Sequence, residues 1–370
     1  MNHITSIGLD VHARSITAVA LDAITGEVVS KRFDYAPAEL ASWILSFDSP
    51  RAVYESGVTG FHLVRELRAQ GVDCIVGAVS KMHKPAADKK RKNDRNDAEF
   101  LARQLMAHNI VKVFVPDTET EAARNLSRVL EDVRDDLTRA KHRLTHLLIR
   151  WGYIWNEYSP EGKRKGTWTR AHWEWIRSIE LPERAAQESL DYYISEVRHI
   201  EAQKKAIEKR ITQYANQSRW HERVEALRCM KGIETMTAFA LVVEAGVFSR
   251  FRSARAFSSW LGLIPSEHSS AEQRHHGAIT KSGNGHLRKL LIEASWHYTR
   301  ATKERKRALN NDTISFHIAN HAASGINRLV KMRGHLIRDL HKRPVVANVA
   351  TARELSCWVW ALGCMCEGTL

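Results

Sequence analysis

The sequence predicts an α/β region followed by a mainly helical region. Strand-like and helix-like segments alternate in the N-terminal part, two long apolar seams with helical spacing begin after Thr118, and shorter helical segments continue from Arg219. Alternating strands and helices predict a sheet with helices packed on it, whereas spacings of three and four residues predict long packed helices. We therefore expect four regions, which are residues 1–117, 118–217, 218–310 and 311–370.

The N-terminal pattern predicts an antiparallel hairpin followed by βα units. Residues 6–21 alternate apolar and polar positions, with Asp10 at the centre of the first strand, and a third strand can begin at Val28. RAVYE (51–55) and residues 72–76 predict two further strands, and helical segments separate them. A hairpin first and βα units afterwards is the order of the ribonuclease H-like fold.

Two apolar seams predict a pair of long helices. The first seam consists of Leu126, Leu130, Val133, Leu137, Ala140, Leu144 and Leu147, and the second of Leu190, Tyr193, Val197, Ile200, Ile207, Ile211 and Tyr214. Their spacing is that of coiled-coil helices. The seams could meet each other within one chain or pair with a second subunit, and the pattern alone leaves both arrangements open.

The charge balance favours a polyanionic partner. The chain has 56 basic and 42 acidic residues, a formal charge of +14 and an isoelectric point near 9.7. Neutralised phosphates release counterions, so such a surplus suits nucleic acid, and a basic protein without that role is the alternative. No stretch reaches the roughly 18 consecutive apolar residues of a membrane span, so we expect no membrane contact and a cytoplasmic location. The five cysteines form no metal-binding pair and are expected to be reduced and mostly buried.

Four acidic residues predict a metal site. Asp10 lies in an apolar strand, where an unpaired acid is costly, and Glu55 ends the RAVYE strand. Asp94 and Asp97 share one helix face if a helix begins near Asn93. Converging carboxylates bind Mg²⁺, with Mn²⁺ as an alternative, and two such ions can support phosphoryl transfer. The other interpretations are a helix cap for Asp94 and an ordinary surface position for Glu55.

Two basic segments and one turn could hold a nucleic-acid backbone. The first segment, Lys89, Lys90, Arg91 and Lys92, directly precedes the paired acids. The second follows the adjacent Ser269 and Ser270 and contains Arg274, His275, His276, Lys281 and Arg288. Cations beside a serine can meet the charge of a phosphate that the serine attacks, although turn chemistry alone would also explain the serines. A helix ending at Lys231-Gly232 and another starting at Thr235 resemble a helix-hairpin-helix, whose amides suit a phosphate.

Four motifs stand in the order and spacing of the insertion-sequence one-ten family of transposases. They are IGLDVHARS, YESGVTG, KNDRNDAEFLA and GLIPSEHSS followed by GAITKSGNGHLR. The resemblance covers nearly the whole chain and implies a RuvC-like N-terminal domain, coiled-coil helices and a mainly helical transposase domain. It implies that Asp10, Glu55, Asp94 and Asp97 form the acidic site. The family's catalytic serine falls on Ser270, five residues after Pro265, although Ala271 stands where the family usually has Gly, and Ser269 is the second choice.

The resemblance also implies the partners of the protein. These are target DNA, donor DNA, a noncoding bridge RNA that pairs with both, and further copies of the chain in a homodimer that assembles to a tetramer. The expected function is DNA recombination through a serine–DNA link, carried out in the cytoplasm at the bacterial nucleoid. A RuvC-like metal-dependent junction nuclease and a non-catalytic nucleic-acid-binding protein are the two alternatives.

Overall fold

The structure, a computed structural model, divides the chain into two compact units. It describes residues 4–78, 82, 93–269, 274–299 and 313–370, with the backbone alone for 268, 269 and 274–276. One unit extends to Asp117 and the other begins at Thr118. The first is a mixed α/β unit and the second is mainly helical, so both parts of the predicted fold class are confirmed.

A five-stranded sheet forms the centre of the first unit. Its strands are β1 (Thr5–Val11), β2 (Ser15–Asp22), β3 (Val28–Asp34), β4 (Arg51–Glu55) and β5 (Asp73–Gly77). Their order in the sheet is β3-β2-β1-β4-β5, with β1, β2 and β3 antiparallel and β1, β4 and β5 parallel. The predicted hairpin is therefore confirmed. Asp10 lies one residue before the end of β1 instead of at its centre, because the turn to β2 begins only two residues later.

Helices cover both faces of this sheet. They are α1 (Pro37–Leu45), α2 (His62–Ala69) and α3 (Asp94–Met106). Ile7, Leu9 and Tyr54 pack with α1 and α2 in one core, whereas Val53 packs with Leu101 of α3 in another. Since side chains alternate along a strand, every second residue of β1 and β4 faces α3. The side of the sheet that carries α3 is therefore the side of Gly8, Asp10, Val53 and Glu55.

The two predicted seams face each other within the second unit. They lie on α4 (Thr118–Arg150) and α6 (Arg184–Ala215), and the short α5 (Arg170–Arg177) lies between these helices in the chain. Leu137, Leu144, Leu190 and Val197 are buried in one shared core. Cross-helix ion pairs flank the seams, for example Lys141 to Glu201 at 2.9 Å. Of the two arrangements that the pattern allowed, this packing within one chain is the one observed; pairing with a second subunit stays a prediction.

The rest of the second unit has one large core. Its elements are α7 (Ser218–Arg228), α8 (Thr235–Ala245), α9 (Ala254–Trp260), β6 (Pro265–Ser269), β7 (Arg274–Ile279), α10 (Gly285–Ser295), α11 (Phe316–Arg338) and α12 (Pro344–Cys366). The N-terminal half of α4 and the C-terminal half of α6 contribute to this core through Leu130 and Ile211. Between α7 and α8, Gly232 adopts a φ of +80°. The helix before that turn ends at Arg228, three residues earlier than the sequence predicts.

Within the described residues, no helix has the length and apolar character needed to cross a membrane. All five cysteines are free thiols, and Cys74, Cys229 and Cys364 are buried.

Candidate catalytic sites

The start of α3 carries two of the predicted acids. Asn93 caps this helix, since its side-chain oxygen accepts hydrogen bonds from the backbone N–H groups of Arg95 and Asn96. Asp94 is therefore the first helical residue and not the cap. Asp97 lies one turn further along the same face, and both acids favour the positive end of the helix dipole.

Three side chains meet where β1 ends and α3 begins. The His12 Nε2 atom lies 3.2 Å from the Asp10 Oδ2 atom and 3.6 Å from the Asp94 Oδ1 atom. One ligand atom from each of the three residues falls within 4.8 Å of the other two, which is close enough to share a metal ion. The Asp10 side chain is 24% exposed, and those of His12 and Asp94 are about half exposed. The structure therefore brings two predicted acids together with a histidine.

The surroundings of Asp10 disfavour its negative charge. Burial raises the pKa of the Asp10 carboxyl above its usual range; the neighbouring His12 lowers it, and the carboxylates of Asp94 and Asp97 raise it further. Accumulated negative charge of this kind is characteristic of sites that receive a cation. Carboxylate oxygens suit Mg²⁺ or Mn²⁺, and the imidazole nitrogen adds a ligand that Mg²⁺ rarely uses.

The other two predicted acids lie at the margin of this cluster. Asp97 is close enough to raise the pKa of Asp10, but it is not among the three residues whose ligand atoms converge. Leu9 of β1 pairs with Tyr54 of β4 in parallel register, so Glu55 stands beside Asp10 at the carboxyl edge of the sheet. Glu55 is exposed and shares the α3 side of the sheet with Asp10. Ligands of open α/β sheets commonly bind at this edge.

Sequence reasoning missed His12 as a member of the site. Its signal was present, because residues two apart on a strand point to the same side, and His12 follows Asp10 by two. The basic run Lys89, Lys90, Arg91 and Lys92 lies outside the described residues.

The second candidate site is the β6–β7 hairpin. Ser269 is the last residue of β6 and pairs with Arg274 at the start of β7, while His275 and His276 continue that strand. Ser270 lies outside the described residues, between these two strands in the chain.

The base of this hairpin is fixed by backbone contacts. The N–H of Lys281 donates to the Gly262 carbonyl, and the N–H of Asn284 donates to the Trp260 carbonyl. A Cβ atom on Gly283 would lie 2.1 Å from the Trp260 oxygen, so only glycine fits there. Lys281 is exposed. The guanidinium of Arg288 donates to the Leu261 carbonyl, so at least one of its donors serves the fold.

A buried carboxylate secures the helix that follows the hairpin. Glu244 is 3% exposed and accepts two hydrogen bonds from the Arg128 guanidinium, at 2.7 and 3.0 Å. It also accepts a hydrogen bond from the Asn284 side chain, whose own oxygen caps α10 through the N–H of Leu287. Glu244 thus joins α4 and α8 to the start of α10, a role that the apolar sequence around it did not indicate.

The chain matches known transposases over both candidate sites. Residues 7–151 match a family model described as "Transposase" and labelled DEDD_Tnp_IS110, and residues 224–310 match one described as "Transposase IS116/IS110/IS902 family". The first range includes all four predicted acids, and the second includes Ser269 and Ser270.

Curated relatives extend the match over most of the chain. The protein y4qE of Sinorhizobium fredii, a transposase by its name, is 30% identical over 310 residues, 84% of this chain and 74% of the relative. The transposase for insertion sequence element IS1533 of Leptospira borgpetersenii is 29% identical over 79% of this chain and 84% of the relative. The transposase for IS1328 of Yersinia enterocolitica is 23% identical over 90% and 96%. The chain belongs to the IS110 family of transposases.

Proposed function

We propose that this transposase cuts and exchanges DNA strands with an acidic metal site and a serine nucleophile. The observation that carries the proposal is the convergence of Asp10, His12 and Asp94 at the carboxyl edge of the sheet, with Glu55 and Asp97 beside them. A bound cation would offset the charge of the Asp10 carboxylate, which burial and the neighbouring acids disfavour.

The fold of the first unit supports a RuvC-like nuclease site. The antiparallel hairpin β1–β2, the third strand beside it and the parallel βα units match the ribonuclease H-like order expected from the sequence. In our proposal Asp10, Glu55, Asp94 and Asp97 hold Mg²⁺, or Mn²⁺ in its place. The bound ions would stabilise the charge on the attacking and leaving oxygens of a phosphoryl transfer. The protein's part is to hold these carboxylates on two strands and one helix.

The serine would supply a covalent step. The Ser270 hydroxyl attacks a DNA phosphorus atom and loses its proton to a base, while the bond from phosphorus to a deoxyribose oxygen breaks. The product is a serine–DNA phosphodiester and a free DNA hydroxyl, which conserves the bond energy for rejoining to a new strand. We propose that basic side chains around this serine stabilise the negative charge of the phosphate. They are Arg274, His275, His276, Lys281 and Arg288. The backbone hydrogen bonds at the base of the hairpin support this role, because they hold the β6–β7 hairpin in one orientation on the second unit.

Nucleic acids and further copies of the chain would be the partners of this transposase. We propose that a bridge RNA selects target and donor DNA by base pairing, with Lys89 to Lys92 holding nucleic acid near the acidic site. The turn between α7 and α8, with Lys231 and Gly232, would bind a phosphate as a helix-hairpin-helix does. The chain would act in the cytoplasm as a homodimer that assembles to a tetramer. We retain residues 118–217, 218–310 and 311–370 as functional regions within the second unit.

Separate substitutions in the two sites test this function against its alternatives. The assay is strand exchange between plasmids that carry the element's ends and flanking sequence, with Asp73→Asn as control because Asp73 is an exposed residue paired with Arg51. We expect Asp10→Asn and Ser270→Ala each to abolish exchange. Exchange that is lost in Asp10→Asn but persists in Ser270→Ala would indicate a metal-dependent reaction that does not use the serine. Cutting without exchange by the unchanged protein would indicate a junction nuclease. Full exchange by both variants would contradict catalysis by these residues.

A further inference from the structure

The helix α11 has an unusual charge composition. The chain carries 42 acidic residues among 370, yet none falls within the 23 residues of α11, which contain Arg328, Lys331, Arg333 and Arg338. The helix follows the range that the C-terminal family model matches, which ends at residue 310. Its charge therefore lies in a part of the chain outside the two candidate catalytic sites.

The cations of α11 lie mainly on its exposed face. The opposite face is buried through small and apolar residues such as Ala322, Ile326 and Leu329. Residues 328, 331, 335 and 338 follow one another at spacings of three, four and three, so they share one face over roughly 15 Å of helix. An open cavity of about 580 Å³ runs along this face. It is lined by Ser324, Asn327, Arg328, Lys331, Met332 and His335.

Two of these cations have no acidic partner among the described residues. Arg328 pairs with Glu354 at 2.6 Å, and His335 contacts Asp339 at 2.7 Å. Among the residues that the structure describes, no carboxylate oxygen lies within 4 Å of the charged groups of Lys331 or Arg338. Both residues are exposed, so their charge is available to an external anion.

A glycine allows Arg338 to lie along the helix. A Cβ atom on Gly334 would be 2.7 Å from one terminal nitrogen of the Arg338 guanidinium. The guanidinium therefore folds back over Gly334, one helical turn toward the N-terminal end of the helix. A short row of cations on a rigid helix suits consecutive phosphates of one nucleic-acid strand.

We propose that this α11 surface, defined by Ser324, Asn327, Arg328, Lys331, His335 and Arg338, binds the phosphate backbone of duplex DNA. Its donors are hydroxyl, amide and cationic groups, which suit phosphate oxygens. Single strands are commonly held by stacking on aromatic rings, and residues 324–338 contain no Phe, Tyr or Trp. Duplex DNA, and not RNA, is the choice that rests on the proposed strand exchange, whose substrates are DNA duplexes. The contact would be independent of base sequence.

The test measures how binding of the full chain depends on salt. The probe is a labelled 30-base-pair duplex of arbitrary sequence, compared with a second duplex of scrambled sequence. For Lys331→Ala/Arg338→Ala we expect affinity to fall by about tenfold for both duplexes, and the slope of log affinity against log salt to become shallower by about two. Lys31→Ala/Arg139→Ala removes the same charge from exposed positions elsewhere and should leave the slope nearly unchanged.

A charge-preserving variant separates loss of contact from loss of fold. Lys331→Arg/Arg338→Lys should bind both duplexes nearly as the unchanged protein does. An unchanged slope in the alanine variant would overturn the proposal, as would a loss confined to a hairpin RNA of equal length. Either result would leave strand exchange by the unchanged protein intact in the plasmid assay, whereas the absence of exchange there would mark failure of the proposed DNA recombination.

Discussion

The backbone of Gly8 in β1 lies directly against the carbonyl oxygen of Ala98 in α3. A Cβ atom on Gly8 would be 1.9 Å from that oxygen and 2.6 Å from the backbone nitrogen of Ala102. Asp10 follows Gly8 by two residues on the same side of the strand, and Asp94 precedes Ala98 by one helical turn. This close approach of strand and helix is therefore what places the Asp10 and Asp94 carboxylates beside the same imidazole.

The close approach predicts that Gly8→Ala damages both stability and the metal site. The added methyl group must push α3 away from the sheet, and overpacking of this kind costs about 1–3 kcal/mol or more. We expect a lower free energy of unfolding by urea denaturation and weaker Mn²⁺ binding by calorimetry. Gly57→Ala is the matched control, because no atom lies within 4 Å of its added Cβ. Equal stability and equal Mn²⁺ affinity in Gly8→Ala would contradict the placement of α3.

The raised pKa of Asp10 predicts that its neutralisation stabilises the fold. A group whose pKa is raised by folding stabilises the native state below its unfolded pKa, and this contribution is lost as pH rises through the folded pKa. At pH 7 the ionised Asp10 carboxylate therefore lowers the free energy of unfolding, and Asp10→Asn removes this destabilisation. We expect a gain of about 0.5 kcal/mol or more at pH 7, together with loss of metal binding.

Urea denaturation at two pH values checks this explanation. The gain from Asp10→Asn should shrink when denaturation is repeated at a lower pH, because its raised pKa lets Asp10 itself take up a proton in the folded protein. Asp73→Asn should show no gain at pH 7. A lower free energy of unfolding for Asp10→Asn at pH 7 would mean that the carboxylate stabilises the fold and is not held there for metal binding.

The buried His172 predicts an acid-sensitive aromatic cluster near α5. His172 is 4% exposed, packs against Trp155 and Trp175, and accepts a hydrogen bond from the backbone N–H of Trp168 at 2.9 Å. Burial lowers the pKa of His172, because the folded protein favours the neutral imidazole. The contribution of the neutral imidazole to the stability of the fold is therefore present above the unfolded pKa of 6.5 and is lost as pH falls through the folded pKa.

Tryptophan fluorescence between pH 7.5 and 5 measures the state of this cluster. We expect an emission change on acidification that His172→Gln, which is neutral throughout, reduces strongly. His142→Gln changes an exposed histidine and should leave the titration unchanged. An identical titration in His172→Gln would show that another group causes the change.

The hydrogen bonds of Glu244 predict that removing its charge destabilises the protein more than removing the charge of an exposed glutamate. Glu244→Gln leaves Arg128 without its charged partner and weakens the contact to Asn284 at the start of α10. Because the Arg128 side chain is 56% exposed, we expect a loss of about 1–2 kcal/mol, less than for a fully buried pair. Glu188→Gln breaks an exposed pair with Arg184 and should cost about 0.5 kcal/mol or less. Equal losses in the two variants, measured by urea denaturation, would contradict a structural role for Glu244.

The sequence was informative where a local pattern decides the structure. The alternation in residues 6–21, the strand 51–55 and the helix that starts after Asn93 all appear as predicted. The seams on α4 and α6 are also helical, but spacing alone could not say whether they meet within one chain. That choice depends on the chain between them, which returns α6 onto α4.

The sequence did not predict contacts between residues that are far apart in the chain. Nothing local connects Glu244 to Arg128, which is 116 positions away, and nothing around Gly8 indicates how closely α3 approaches it. His12 could have been noticed from its spacing to Asp10, but a lone exposed histidine after a strand is common. Asn93 took the capping role considered for Asp94, because its side-chain oxygen reaches two backbone N–H groups.

A covalent serine–DNA link is the most direct test of the proposed reaction. The measurement is a denaturing gel of the full chain incubated with Mg²⁺, its guide RNA and end-labelled DNA that carries the element's ends. We predict a slow-migrating protein–DNA band that disappears in Ser270→Ala and in Asp10→Asn and persists in Ser269→Ala. A band that survives Ser270→Ala, or strand exchange without any such band, would contradict the account.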